Sequence, residues 1–344
     1  MKRRIWTVAV ALASVVALVA VPAAYAAYTT AKLEVRPAGT GGATVRATLS
    51  PDDDPTASVR IFAPSGVTLT TNQAPGTVLG PVRAIVKALD LGGADLPLEG
   101  QLAVAPPGAV PPATQAQCLG TTTPIAVWVM TLGAAGQTLT VPTYLVATSG
   151  AQTALGPAYI QVCLPPPDVP AGTPGRATFG AKLYSAELTI NGVFSTATGT
   201  WLSMWTPYRP GVGQVNAAGT IASPAVVANG AVTAAARRAG PRGVRATVTG
   251  RVTQGGQARA GAAVTIFGGP RSNRLKRLGR VRTNASGAFT FRAKSGIFFR
   301  ANVVAAAGAA PAACTALTPA ISPIPCMNPT SNGFTAQSRV IRKR

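Results

Sequence analysis

The sequence predicts an all-β protein of two β-sandwich domains in tandem. Three observations carry that expectation. Short runs rich in Val, Ile, Thr and aromatic residues alternate with clusters of Gly, Pro, Asn and Asp, as strands alternate with turns. Apolar residues recur at every second position, and helical periodicity is hard to find. Charge then divides the chain in two. From Arg237 to Arg344 there are 19 Lys and Arg and no Asp or Glu, whereas residues 27–236 hold nine of each.

The elements follow in order. Residues 1–26 read as a secretory signal: Lys2-Arg3-Arg4, an uncharged stretch from Ile5 to Val21, Pro22, and Ala24-Tyr25-Ala26 as a small-x-small cleavage site. The alternative is an uncleaved anchor, but a span needs about 20 apolar residues and this stretch is at the lower limit. The expected product is secreted, or held on the cell envelope without a covalent anchor.

Residues 27–224 read as the first sandwich. Leu33 and Val35 alternate with charges in Lys32–Arg36. Tyr184, Ala186, Leu188 and Ile190 are expected on one strand face. Asn191-Gly192 is the strongest hairpin signal, because a type I′ turn needs positive φ at both central residues. Pro124–Met130 and Tyr144–Ala147 read as central strands. Pro106-Pro107, Pro111-Pro112 and Pro165–Pro167 are confined to loops or edges. Residues 225–242 are Ala- and Gly-rich and read as a linker, or a last strand followed by one.

Residues 243–344 form the basic domain, with the clearest alternation in the chain. Val244, Ala246, Val248 and Val252 are expected inward, and Arg245, Thr247, Thr249 and Arg251 outward. Gly255-Gly256 makes a turn. Ala262, Val264 and Ile266, then Phe289 and Phe291, then Phe299, Ala301 and Val303 continue the inward set. A final strand is expected near Val340-Ile341.

Val248-Thr-Gly-Arg-Val252, Gly261-Ala-Ala-Val-Thr-Ile266 and Thr283-Asn-Ala-Ser-Gly-Ala-Phe-Thr-Phe291 occur in that order. In this, 243–308 resembles the carboxypeptidase regulatory-like β-sandwich of the transthyretin or prealbumin type. Asn284 stands where that family carries Asp, and Gln254-Gly255 where it carries an aspartate after the first strand. The resemblance implies an Ig-like accessory sandwich of about seven short strands, with no catalytic residue to carry over.

Four cysteines fit an oxidising compartment. Of the three pairings, Cys118–Cys163 and Cys314–Cys326 are expected, because each then lies within one proposed domain. Zinc is the rival, but the spacing matches no CxxC pattern and the chain has no His.

The absence of His also removes Ser-His-Asp and Cys-His catalysis and the commonest general base. No Ser-x-x-Lys and no phosphate loop occurs, and only Glu34, Glu99 and Glu187 are available beside Asp for an acid pair. The expectation is a non-enzyme with no cofactor and no metal. Asp52-Asp53-Asp54 could offer oxygens to Ca²⁺, but reads first as a solvated turn.

Two binding surfaces remain. Arg271, Arg274, Lys276, Arg277, Arg280 and Arg282 fall within twelve residues. With no acid in the domain to pair them, they are expected to contact polyanions. Anionic cell-envelope polymers or glycans, or a membrane surface, are favoured over nucleic acid because stacking aromatics are few. The alternative is an exposed carbohydrate-binding platform of Trp201, Trp205 and Tyr208. The same residues, if buried, are ordinary core.

Overall fold

The computed structural model describes residues 28–39, 41–134, 136–240 and 245–344. The signal sequence with its cleavage site, and the expected domain start at 241–244 including Val244, lie outside the described residues. The protein is all-β: among the described residues there are two α-helices, and no helix is long and apolar enough to cross a membrane.

Eleven strands build the first body. They are β1 Lys32–Ala38, β2 Gly42–Thr48, β3 Thr56–Phe62, β4 Val78–Ala88, β5 Ala94–Val104, β6 Ala126–Ala134, β7 Gln137–Ala147, β8 Ala158–Cys163, β9 Ala181–Ile190, β10 Gly199–Pro207 and β11 Ile221–Val227. They lie in the order β1-β2-β9-β4-β5-β6-β7-β8-β3-β10-β11 in one sheet. One face of every strand feeds a single apolar core: Leu33, Val45, Ile61, Val82, Leu102 and Trp201 come from six of them. The sheet is therefore curled, with its opposite halves packed as layers of a sandwich continuous with one another. Its two ends meet. The Leu33 N–H donates to Ser223 Oγ of β11 (3.2 Å), and the Thr330 hydroxyl donates to the Leu33 carbonyl (2.5 Å).

Helix α1 (Pro112–Leu119) and helix α2 (Ala312–Ile321) cover part of the sheet's outer face. There Leu119 and Ile321 join Phe62, Tyr144, Tyr159 and Leu202 in a second apolar cluster. Pro112 opens α1 at the position where its missing N–H costs nothing. The expected disulfides both form. Cys118–Cys163 pins α1 to the end of β8, and Cys314–Cys326 staples α2.

The second body packs two sheets face to face. Its strands are β12 Gly230–Ala239, β13 Arg245–Gln254, β14 Gln257–Ala258, β15 Ala263–Gly269, β16 Lys276–Arg282, β17 Ala288–Ala293, β18 Phe298–Ala305, β19 Gly308–Ala309, β20 Thr330–Ser331, β21 Phe334–Gln337 and β22 Ile341–Arg342, of which β19 and β20 return to the first body's sheet. One layer holds β12, β13, β14 and β17; the other runs β16-β15-β18-β21, with β22 also on β18. Val248, Val252, Val264, Ile266, Phe299 and Ala301 fill the space between, as the alternation predicts. Gly255 and Gly256, both with positive φ, close the two-residue hairpin between β13 and β14.

Four expectations are corrected. The 225–242 segment is not a linker: β11 and β12 occupy most of it, leaving Ala228-Asn229 between them. Asn191-Gly192 makes no hairpin, because β2 and β4 already fill both edges of β9, and only Gly192 has positive φ. Tyr184 leaves the face of Ala186 and Leu188, because β9 carries an extra residue there: Ile85 pairs Ser185 while Val86 pairs Leu183. The Cys314–Cys326 loop docks on the first body rather than extending the second.

Candidate functional site

The second body's two outer faces are built from arginine by simple strand alternation. In the first layer the inward phase is Val232, Ala236, Ala246, Val248 and Phe289. The outward phase therefore carries Arg237, Arg245, Arg251 and Arg292, all exposed. Arg237, Thr247 and Arg292 stand abreast on three neighbouring strands.

In the second layer Val264 and Ile266 face the core, so Thr265 and Phe267 face out. Arg280 stands opposite Thr265, and Arg282 opposite Ala263. A register shift at Ile266/Phe267 skips Leu278 and sets Arg277 opposite Phe267. The bulge thus keeps Arg277 on the face of Arg280 and Arg282 despite its odd spacing from them. On the other side Phe267 stands opposite Arg300, whose guanidinium lies over its ring, 5.6 Å from the centroid. Gly279 faces inward, and a Cβ there would stand 2.6 Å from the Phe291 ring, so β16 seats closely on the core.

All six residues of the basic run are exposed. Arg277, Arg280 and Arg282 share the outer face, Lys276 takes the opposite phase opposite Gly268, and Arg271 and Arg274 lie in the loop before β16. Among the described residues the strand pairs only with β15, so it is a sheet edge.

Neutralisation is absent where it matters. The five ion pairs among the described residues all join groups between Lys32 and Glu187, in the first body. Backbone carbonyls take some guanidinium donors: Arg282 donates to Gly261 (2.9 Å), Arg251 to Ser286 (3.1 Å) and Arg259 to Ala306 (2.7 Å). These bonds orient the arginines without cancelling their charge. Same-face neighbours on a strand are about 7 Å apart, within a Debye length of about 8 Å at physiological salt. Like charges at that spacing repel by about 0.6 kcal/mol per pair even at the dielectric of water.

The carbohydrate platform is not formed. Trp201 and Trp205 are 0% and 1% exposed and Tyr208 is 9% exposed. Trp201 Nε1–H donates to the Ala197 carbonyl (2.8 Å), Trp205 Nε1–H to Ser203 Oγ (2.8 Å), and the Tyr208 hydroxyl to the Leu164 carbonyl (2.7 Å). In a chain poor in aromatics the core claims them. The acidic triplet is a turn: buried Asp53 accepts the Thr29 N–H (2.8 Å), the Thr29 hydroxyl (2.7 Å) and the Ser50 N–H (2.9 Å).

Sequence reading found the run in β16 because its cations are adjacent. It did not assemble Arg237, Arg245, Arg251 and Arg292 into a site, since they are spread over three strands; the strand phase of each was the available signal. No protein-family model matches the chain, and a search of curated proteins finds no match.

Proposed function

We propose that this is an exported, non-enzymatic interaction protein of the bacterial cell envelope, whose cationic second body contacts anionic polymers. The observation that carries this reading is the pair of arginine-bearing outer faces in a body with no Asp or Glu. Their mutual repulsion is relieved when a polyanion lies across them, and the released counterions add to affinity. The two disulfides suit an oxidising compartment. The motif order from Val248 to Phe291 supports an accessory β-sandwich rather than a catalytic one. An envelope polymer with regularly spaced phosphates or carboxylates is the preferred partner, because the faces present charge at strand spacing with few stacking rings.

The test is a salt titration of the full chain on a poly(glycerol phosphate) polymer. Log affinity is expected to fall linearly with log salt. Reversing Arg277, Arg280 and Arg282 to Glu is expected to reduce that slope by about one for each phosphate that is no longer neutralised. Affinity that ignores ionic strength overturns the proposal.

A further inference from the structure

The first body holds a cavity that the cationic surface does not explain. Its volume is about 510 Å³, within the range of small-molecule sites. The cause lies in residue size. The curled sheet encloses a wide interior, and around the space it presents Ala47, Ala84, Ala186, Val59, Val82 and Val86, which are too small to meet across it. Larger residues such as Met130, Ile160 and Trp205 line the same space without filling it.

The cavity has a way out. The ladder between β7 and β8 runs only from Thr143 to Ala147, and after Cys163 the chain turns away. The preceding part of β7 pairs with β6 alone, and Pro142 there has no N–H to leave unpaired. Consecutive residues of a strand face opposite sides, yet Thr140, Val141 and Pro142 all line this cavity. It therefore passes around the free edge of β7, from the core to the groove beside α1. The Cys118–Cys163 disulfide stands at that slot, with Thr114 and Gln117 of α1 beside it.

One charged group limits what fits. Arg176 is the one charged residue among the described residues of the lining, and its guanidinium is already engaged: it donates to both Asp90 oxygens (2.6 and 2.7 Å) and to the Val169 carbonyl (2.7 Å). An anionic head finds no free counter-charge there.

We infer that this cavity binds the hydrocarbon chain of a neutral single-chain lipid, entering past the free edge of β7. The site is independent of the arginine faces.

Monoacylglycerols of about eight to about twelve carbons, titrated into the full chain by calorimetry below their aggregation concentrations, test it. Binding is expected to saturate at one per chain. Affinity should rise about fourfold per methylene until the cavity is full, and the fatty acid of equal chain length should bind no better. Val141→Trp, which blocks the slot, should lower affinity at least about tenfold; Leu139→Trp on the same rim serves should that variant not fold. Absence of saturable binding, or wild-type affinity in a folded slot-blocked variant, overturns the inference. The charge-reversed variant of Arg277, Arg280 and Arg282 should bind lipid unchanged, so each proposal fails separately.

Discussion

At the scale of single residues, charge is handled in opposite ways in the two bodies. In the first, five of the nine acids are paired with cations. Arg176 grips Asp90 with both terminal nitrogens, and this hydrogen bonding holds the Asp90 carboxyl below its ordinary range. A depressed carboxylate stabilises the fold above its unfolded-state pKa and loses that effect as pH falls through the folded value. Asp90→Asn is thus expected to lower the melting temperature at neutral pH, with the gap to wild type closing as pH drops below about 4. Melting curves of both proteins between pH 7 and pH 2 check this. Among the described residues of the second body no arginine forms an ion pair, and the arginine charges are left uncancelled.

At the scale of elements, alternation was readable wherever a strand had one wet face. The inward residues of β13, β15 and β18 follow from period two alone. Pairings distant in sequence were not readable. Asn191-Gly192 carries the local chemistry of a hairpin, but sheet order overrides it. Helix α1 has few residues to show a period and is held by its proline start and Cys118. The basic run could be found without coordinates, but not the bulge that aligns Arg277 with Arg280. Nor could a cavity made by alanines on strands far apart in sequence. The Cys314–Cys326 loop shows what a local staple does here. Replacing both cysteines by Ser should cost about 3 kcal/mol from loop entropy. Denaturant unfolding measures that cost, and hydrogen exchange should show α2 loosening from Leu202 and Met204 first. As an edge strand crowded with Lys and Arg, β16 also resists pairing with a second chain.

At the scale of the whole molecule, the two bodies are stitched rather than tethered. The chain passes between them at Val227–Gly230, Ala305–Gly308 and Ser331–Phe334. Asn332 accepts from the Ala228 N–H (2.9 Å) and from Gln254 Nε2 (2.7 Å) at that crossing. β20 then pairs with β11 at the seam that β1 closes, and Asn328 Nδ2 donates to the Ala31 carbonyl (3.0 Å). Thr330→Val should cost about 1–3 kcal/mol, since it orphans a buried carbonyl at Leu33. Faster amide exchange along β1, nearly 300 residues upstream (sequence separation 297), is the measurement that checks it. The seam also sets an order of events. Strand β1 cannot lock until Thr330 has emerged, so its pairing is completed only after nearly 300 further residues have been synthesised (sequence separation 297). On the proposed export route, which threads the chain unfolded, that delay is a gain.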